Sequence, residues 1–267
     1  MATDKRKGRV IYLSHGGGPL PILGDARHAK MVRFMEDFSR LQKKPDAIVV
    51  ISAHWEEAVP TITESANPPL LYDYYGFPRE AYSLSYSIPG NPALARSIQE
   101  SFLSAGIESN LDTARGFDHG VFIPLMLMYQ DDSIPTVQIS LIKGLDPVRH
   151  VEVGTVLGNL LNENVLIIGS GFSFHNMNAF FDGAEGRDER NDSFQDRLIE
   201  VCSQTVSPEA ARKDLAAWEG FPYARYCHPR EEHLLPLHVC AGTATQSGRI
   251  VFDDEILGKR SIAVLWE

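Results

Sequence analysis

The residues best equipped for chemistry in this chain are histidines that follow apolar runs. His15 comes directly after Val10-Ile11-Tyr12-Leu13-Ser14 and opens a glycine turn, Gly16-Gly17-Gly18-Pro19. His54 comes directly after Ala47-Ile48-Val49-Val50-Ile51-Ser52-Ala53, and His175 follows Val165-Leu166-Ile167-Ile168 and the turn Gly169-Ser170-Gly171. His119 stands in Arg115-Gly116-Phe117-Asp118-His119-Gly120, just before the apolar stretch from Val121 to Tyr129. His233 ends the polar run Arg230-Glu231-Glu232-His233. An imidazole exchanges protons near neutral pH and binds metals, but a single one is more often a hydrogen-bonded structural group. Recurrence after apolar runs changes that balance. Imidazoles gathered in one pocket without thiolates suit a borderline transition metal such as Fe(II) or Zn(II), not calcium or magnesium.

The elements that must gather them can be read from the periodicity. The unbroken β-branched runs are strands buried on both faces of a parallel sheet, and such sheets bind ligands in the crevice beyond the strand carboxyl ends. His15, His54 and His175 therefore converge on one sheet edge. Asp25 is a candidate N-cap for a helix carrying Met31, Phe34, Met35, Phe38 and Leu41 on its core face, and Pro45-Asp46 leads back into the Ala47 strand. Asn91-Pro92 starts a second helix with Leu94, Ile98 and Phe102 inward and Gly106 as its C-cap. The stretch from Val121 reads as a helix despite Pro124, which places His119 at a helix N-terminus, where the dipole lowers an imidazole pKa.

Further along, Pro135 to Leu141 reads as a strand, and Asp146-Pro147 caps a helix carrying Val151, Val156, Leu157, Leu160 and Leu161. Gly183 to Asp192 reads as an exposed loop, with helices over Asp192 to Gln204 and Ser207 to Trp218. Ile250 to Asp253 and Ser261 to Trp266 form antiparallel strands around Gly258. His28 and His150 fall on helices away from the strand ends and read as surface residues. His228 and His238, which flank His233, are expected to have ordinary packed or exposed roles. The connection from Ala58 to Gly90 carries the aromatic segment Tyr72 to Phe77, which either lines a site or covers the core edge. The expected fold is a single α/β domain over residues 1–267, with a mainly parallel central sheet flanked by helices and C-terminal antiparallel strands.

Composition removes several classes. A formal net charge of -10 argues against a general nucleic-acid binder, which needs a cationic face. Cys202, Cys227 and Cys240 are odd in number and form no C-x-x-C pair, which argues against a disulfide scaffold or thiolate site and fits a reducing cytoplasm. The charged amino terminus has no signal-peptide core, and no run reaches membrane-spanning length. The glycine turn after His15 lacks the Lys-Ser/Thr of a phosphate loop, and there is no His-Glu-x-x-His helix.

Six motifs in order then carry a family resemblance: Ser14 to Pro19, Ser52-Ala53-His54-Trp55, Tyr72 to Pro78, Gly116 to Gly120, Gly169-Ser170-Gly171 with His175-Asn176, and Glu232-His233-Leu234-Leu235-Pro236-Leu237. Together they resemble the class III extradiol ring-cleavage dioxygenases, nearest to the 4,5-DOPA dioxygenase branch. The resemblance implies His15 and His54 as metal ligands, with His233 as the third and Glu232 as its alternative, since the related protocatechuate branch uses a glutamate. His175 matches the family's acid/base and is also a candidate fourth ligand. His119 would stabilise bound oxygen or return a proton, and the Tyr72 to Phe77 aromatics would stack on the ring. The implied reaction is opening of a DOPA-like catechol with O2 at one divalent metal, Fe(II) for activity with Zn(II) as the other candidate occupant. The expected partners are this small molecule and O2 alone, with no nucleic acid or membrane, in a monomer or homodimer. Gly17 departs from the serine common in DOPA-type relatives, which bears on substrate detail. Two alternatives stand beside this reading: a zinc-dependent hydrolase using the same histidines, and a non-catalytic binding protein of the same fold resembling the Memo family.

Overall fold

The computed structural model of the chain describes residues 8–130, 134–181, 187–203 and 205–267. Its centre is an eight-stranded sheet. In chain order the strands are β1 (Arg9–Ser14), β2 (Ala47–Glu57), β3 (Thr61–Thr63), β4 (Asn110–Asp112), β5 (Thr136–Ile142), β6 (Val165–Gly171), β7 (Arg249–Ile256) and β8 (Lys259–Trp266). Across the sheet they run β4-β3-β5-β2-β6-β1-β8-β7. The inner strands β5, β2, β6 and β1 are mutually parallel, and β8 joins β1 antiparallel before turning into β7. β6 is inserted between β1 and β2, so the three runs that lead to histidines are adjacent and end on one edge.

Helices cover both faces. α1 (Ala29–Leu41) and α3 (His119–Met128) pack on one, and α4 (Pro147–Leu157) with α9 (Leu235–Thr243) on the other. Neighbouring residues of a strand point to opposite faces, and β6 shows this directly. Ser170 reaches Gly120 of α3, while a Cβ on Gly169 would press on Pro236 and Cys240 of α9. α3 and α9 are buried almost throughout, as helices enclosed by sheet and neighbours must be. The remaining helices are α2 (Pro92–Ser104), α5 (Met177–Phe180), α6 (Glu189–Cys202), α7 (Pro208–Ala216) and α8 (Ala224–Cys227). Asn91, Asp146 and Ser207 each accept a backbone N–H at the helix starts expected of them, and Gly106 takes φ 78° beyond α2.

Several expectations need correction. Asp25 caps a short 3-10 turn, Ala26–His28, that leads into α1, and Leu41 is 82% exposed, so the core stripe of α1 ends at Phe38. α4 stops at Leu157, and a 3-10 turn covers Leu160 and Leu161. α6 begins at Glu189, not Asp192, because Asp188 accepts from Asn191 N; Gly183 to Gly186 and Gln204 lie outside the described residues. β3 and β4, three residues each, are too short to leave a periodic signature.

The largest correction concerns His28 and His150, which are 0% and 1% exposed. His28 Nε2 accepts the Gly17 N–H at 3.0 Å, pinning the glycine turn to the start of α1. His150 Nε2 accepts Ile142 N–H at 3.0 Å, while its Nδ1 donates to Asp146 O at 2.7 Å. That pairing needs neutral imidazole. Burial accordingly pushes His150 down to about 4. Of the packed or exposed roles open to His228 and His238, the structure shows the packed one. Both are buried, with Nε2 on Ser173 O and Leu215 O at 2.9 Å, and burial pushes them to about 3 and about 4. Cys202, Cys227 and Cys240 are buried and free, and no helix among the described residues is long and apolar enough to cross a membrane.

Two predictions follow from this packing. Well above pH 6.5 His150, His228 and His238 are neutral both folded and unfolded, and stability is at its full value. As pH falls from 6.5 towards 4 only the unfolded chain takes up the protons, so stability drops by about 1.4 kcal/mol per pH unit for each histidine. His150→Gln, which keeps an acceptor near the Nε2 position, is expected to reduce that slope by about one proton in urea titrations across this range. A second test addresses the α4–α9 crossing, where a Cβ on Gly154 would lie 2.0 Å from Val239 O and one on Gly242 would lie 2.3 Å from Val151 O. Helix propensity alone favours Gly154→Ala by about 1 kcal/mol, but overpacking against backbone exceeds that gain. The variant is expected to lose roughly 2 kcal/mol by urea unfolding; an increase in stability would contradict the packing argument.

Candidate active site

The site is assembled at the shared edge of β1, β6 and β2. His15 follows β1 directly, and its N–H donates to Gly171 O at 3.0 Å. Behind it the glycine turn takes φ 84° at Gly16 and 56° at Gly18, a course open to residues without a Cβ. His233 arrives from far along the chain and is held at the end of β6: its carbonyl accepts from Phe172 N at 3.0 Å and from Tyr12 Oη–H at 3.1 Å. Gly171 permits this, since a Cβ there would lie 2.1 Å from that same carbonyl.

His54 is turned inward by an irregularity in β2, where pairing with β5 slips between Ile51 and Glu56. Buried Asp118 fixes the slipped segment. Ser52 Oγ donates to its carboxylate at 2.7 Å and accepts from His54 N at 3.2 Å. Arg115 spans Asp118 (3.1 Å) and His54 O (3.3 Å), with its guanidinium 4.6 Å from the centre of the Trp55 ring.

Hydrogen bonds fix which nitrogen of each ring faces the cavity. Pro124 has no N–H to give the Gly120 carbonyl one turn back, and Ser170 Oγ–H donates to that oxygen at 2.5 Å. With its proton so committed, Ser170 Oγ accepts from His15 Nδ1 at 3.1 Å, leaving a lone pair on His15 Nε2. Glu232 Oε1 faces Nδ1 of both His233, at 2.9 Å, and His175, at 3.3 Å, whose rings stack with centroids 3.4 Å apart. Asp73 Oδ1 accepts from both N and Nδ1 of His119, at 3.0 and 2.8 Å, and its other oxygen faces His54 Nδ1 at 3.8 Å. The Nδ1 edges thus point at oxygens, and the Nε2 edges of His15 and His54 at each other. His54 Nε2 and His15 Nε2 are 3.0 Å apart.

The electrostatics agree with that geometry. Burial, and then the neighbouring imidazoles, hold His15 and His233 well below the ordinary histidine range; burial and His119 do the same to His54. These rings are neutral. Burial works against ionisation of Asp73 and Glu232 and is the largest single influence, but hydrogen bonds and nearby charge from His119 and His54, and from His175 and Arg230, together outweigh it and keep both carboxylates below their usual values. Neutral donors in front and carboxylates behind are what a bound divalent cation needs.

The donor set fits such an ion. Ligand atoms of His15, His54 and His233 lie within 4.8 Å of one another, and 3.0 Å is a spacing that two nitrogens at about 2.1 Å from one ion adopt. Glu232 groups instead with His175 and His233, and Asp73 with His54 and His119. The five histidines singled out in the sequence, 15, 54, 119, 175 and 233, line one cavity of about 520 Å³, together with Tyr74, Tyr75 and Phe77. His228 and His238 are not among its lining residues. Tyr72 is not either, and its hydroxyl donates to Leu84 O at 2.6 Å. Residues that sequence reasoning passed over are Asp73, Ser170 and His28. A lone carboxylate in an otherwise aromatic segment was the one available signal for Asp73; nothing local distinguishes the other two.

Comparison with known proteins places this geometry. Residues 10–261 match the family described as the catalytic LigB subunit of aromatic ring-opening dioxygenase. The chain is 37% identical to "Dioxygenase tasH" of Hapsidospora irregularis, over 96% of this chain and 85% of that protein. It is 35% identical to "4,5-DOPA dioxygenase extradiol" of Beta vulgaris, over 93% and 91%. A crystal structure of an uncharacterized Escherichia coli K12 protein, JW3007, superposes with a TM-score of 0.80 at 27% identity, covering 98% of this chain and all of that one. The chain therefore belongs to the class III extradiol dioxygenase family, that of the catalytic subunit of aromatic ring-opening dioxygenases.

Proposed function

We propose that this protein opens the aromatic ring of a catechol with O2, outside the diol, at one divalent metal held by His15, His54 and His233. The observation that carries the reading is the pair of Nε2 atoms 3.0 Å apart, on a buried His15 and a half-buried His54 that are both neutral. The His15 lone pair is aimed there by Ser170, and a cation between the two nitrogens takes the place of the hydrogen bond that His54 Nε2–H otherwise donates to it. When bound, an Fe(II) ion supplies a Lewis acid for the diol oxygens and a redox centre for O2. The overall reaction balances without an external reductant, because both atoms of O2 enter the ring-opened hydroxymuconic semialdehyde.

The remaining residues move protons and shape the cavity. His175, with Nδ1 towards Glu232, offers Nε2 to accept a proton from a catechol hydroxyl, and the Glu232 carboxylate stabilises the resulting imidazolium. His119, backed in the same way by Asp73, holds a second proton-transfer nitrogen in the same cavity. Tyr74 and Phe77 flank the ring. His233 is preferred over Glu232 as third ligand because its ligand atom groups with those of His15 and His54, whereas Glu232 groups with His175 and His233. No feature of the site favours the hydrolase or binding-protein alternatives over oxygenase chemistry.

Anaerobic reconstitution with Fe(II), followed by oxygen uptake in the presence of catechols, tests the reading. One O2 consumed per ring-opened, yellow product is expected, and no uptake with any catechol despite stoichiometric metal would overturn it. His54→Ala is expected to abolish metal retention. His175→Ala is expected to keep metal and catechol binding while losing about 10²–10⁴-fold in turnover. Loss of metal from His175→Ala would make that residue a ligand and end its assignment as a base.

A further inference from the structure

Beyond the histidines, the cavity becomes apolar. Leu20, Phe77, Phe172, Met177, Phe180 and Leu257 form its outer walls. Two more side chains at the rim stand in water, Tyr75 at 92% and Phe181 at 76% exposure, and Met177 is 53% exposed. Large apolar groups collected at one mouth usually mark an apolar occupant. Among the described lining residues there is no Asp or Glu, and one permanent cation, Arg27. That guanidinium is already engaged, with Nε 3.0 Å and Nη2 2.6 Å from the two oxygens of Asp25.

A second observation comes from the β7–β8 hairpin. Its two-residue turn puts both Leu257 and Gly258 at positive φ, 55° and 76°, where Asn-Gly is the ordinary solution. A leucine there is strained. Its side chain lies in the cavity wall, and Leu257 Cδ1 is the atom nearest to a Cβ built on Gly17, at 3.1 Å. Retained strain of this kind is informative where the side chain faces a site.

Building on the catechol reading above, we infer that the preferred substrate carries a bulky apolar substituent, alkyl or aryl, in place of the zwitterionic side chain of DOPA. The diol would sit among the histidines and the substituent between Leu257, Phe77 and Phe180. An amino-acid side chain in that place would meet no carboxylate among the described lining residues and, as cation, the Arg27 guanidinium that Asp25 already pairs, and it would forgo the apolar contact that an alkyl or aryl group makes with these walls.

The test compares 4-tert-butylcatechol with L-DOPA on the Fe(II)-loaded enzyme, by kcat/KM in air and by calorimetric Kd under anaerobic conditions. The alkylcatechol is expected to lead by about 10-fold or more on both measures. Leu257→Asn relieves the backbone strain and is expected to raise the thermal midpoint. It should also weaken the alkylcatechol about 10-fold and change L-DOPA less than twofold. Equal or better use of L-DOPA, or equal effects of Leu257→Asn on the two, would overturn the inference. If neither compound is opened, the ring-opening reading fails, while the anaerobic Kd order still decides the question of the substituent.

Discussion

The site depends on where one proton sits, that of the Ser170 hydroxyl. Pro124 cannot donate to the Gly120 carbonyl, the Ser170 O–H takes that acceptor, and the serine oxygen is left to receive His15 Nδ1–H. The lone pair of His15 is thereby aimed into the cavity. A proline inside a buried helix ordinarily costs stability; here the carbonyl it leaves free orients, through Ser170, the His15 nitrogen that we propose as a metal ligand. The same arrangement recurs around the cavity, with Glu232 behind His233 and His175 and Asp73 behind His119.

Neutrality follows from packing. A parallel sheet buried under helices on both faces desolvates whatever stands at its strand ends, and burial is the main reason that His15, His54 and His233 do not take up protons. The close approach of chain segments that creates this burial is made by glycines. Gly171 lets the His233 carbonyl reach β6, and Gly154 with Gly242 lets α9, which begins just after His233, lie against α4. Fold stability and site geometry thus rest on the same contacts.

Much of this was legible in the sequence. Unbroken β-branched runs marked the inner strands, and the position of His15, His54 and His175 beyond them marked the edge where the histidines share one cavity, because a parallel sheet brings strand ends together whatever their separation in sequence. The hidden parts are those set by contacts between distant segments. His28 and His150 sit near helix starts, where periodicity does not reveal that their imidazoles accept backbone N–H groups from the Gly17 turn and from Ile142. Ser170 is one small residue in a glycine turn, and its role appears only when α3 is laid across β6. The slip in β2 that turns His54 inward depends on Asp118 and Arg115, more than sixty residues away.

Incubation of the Fe(II)-reconstituted protein and a catechol with ¹⁸O2, followed by mass spectrometry of the ring-opened product, tests the central claim most directly. Ring opening at this site predicts two labelled oxygen atoms per product molecule, after allowance for exchange of the aldehyde oxygen with water. A product carrying a single label with the ring intact, or an unlabelled product of hydrolysis, would contradict it.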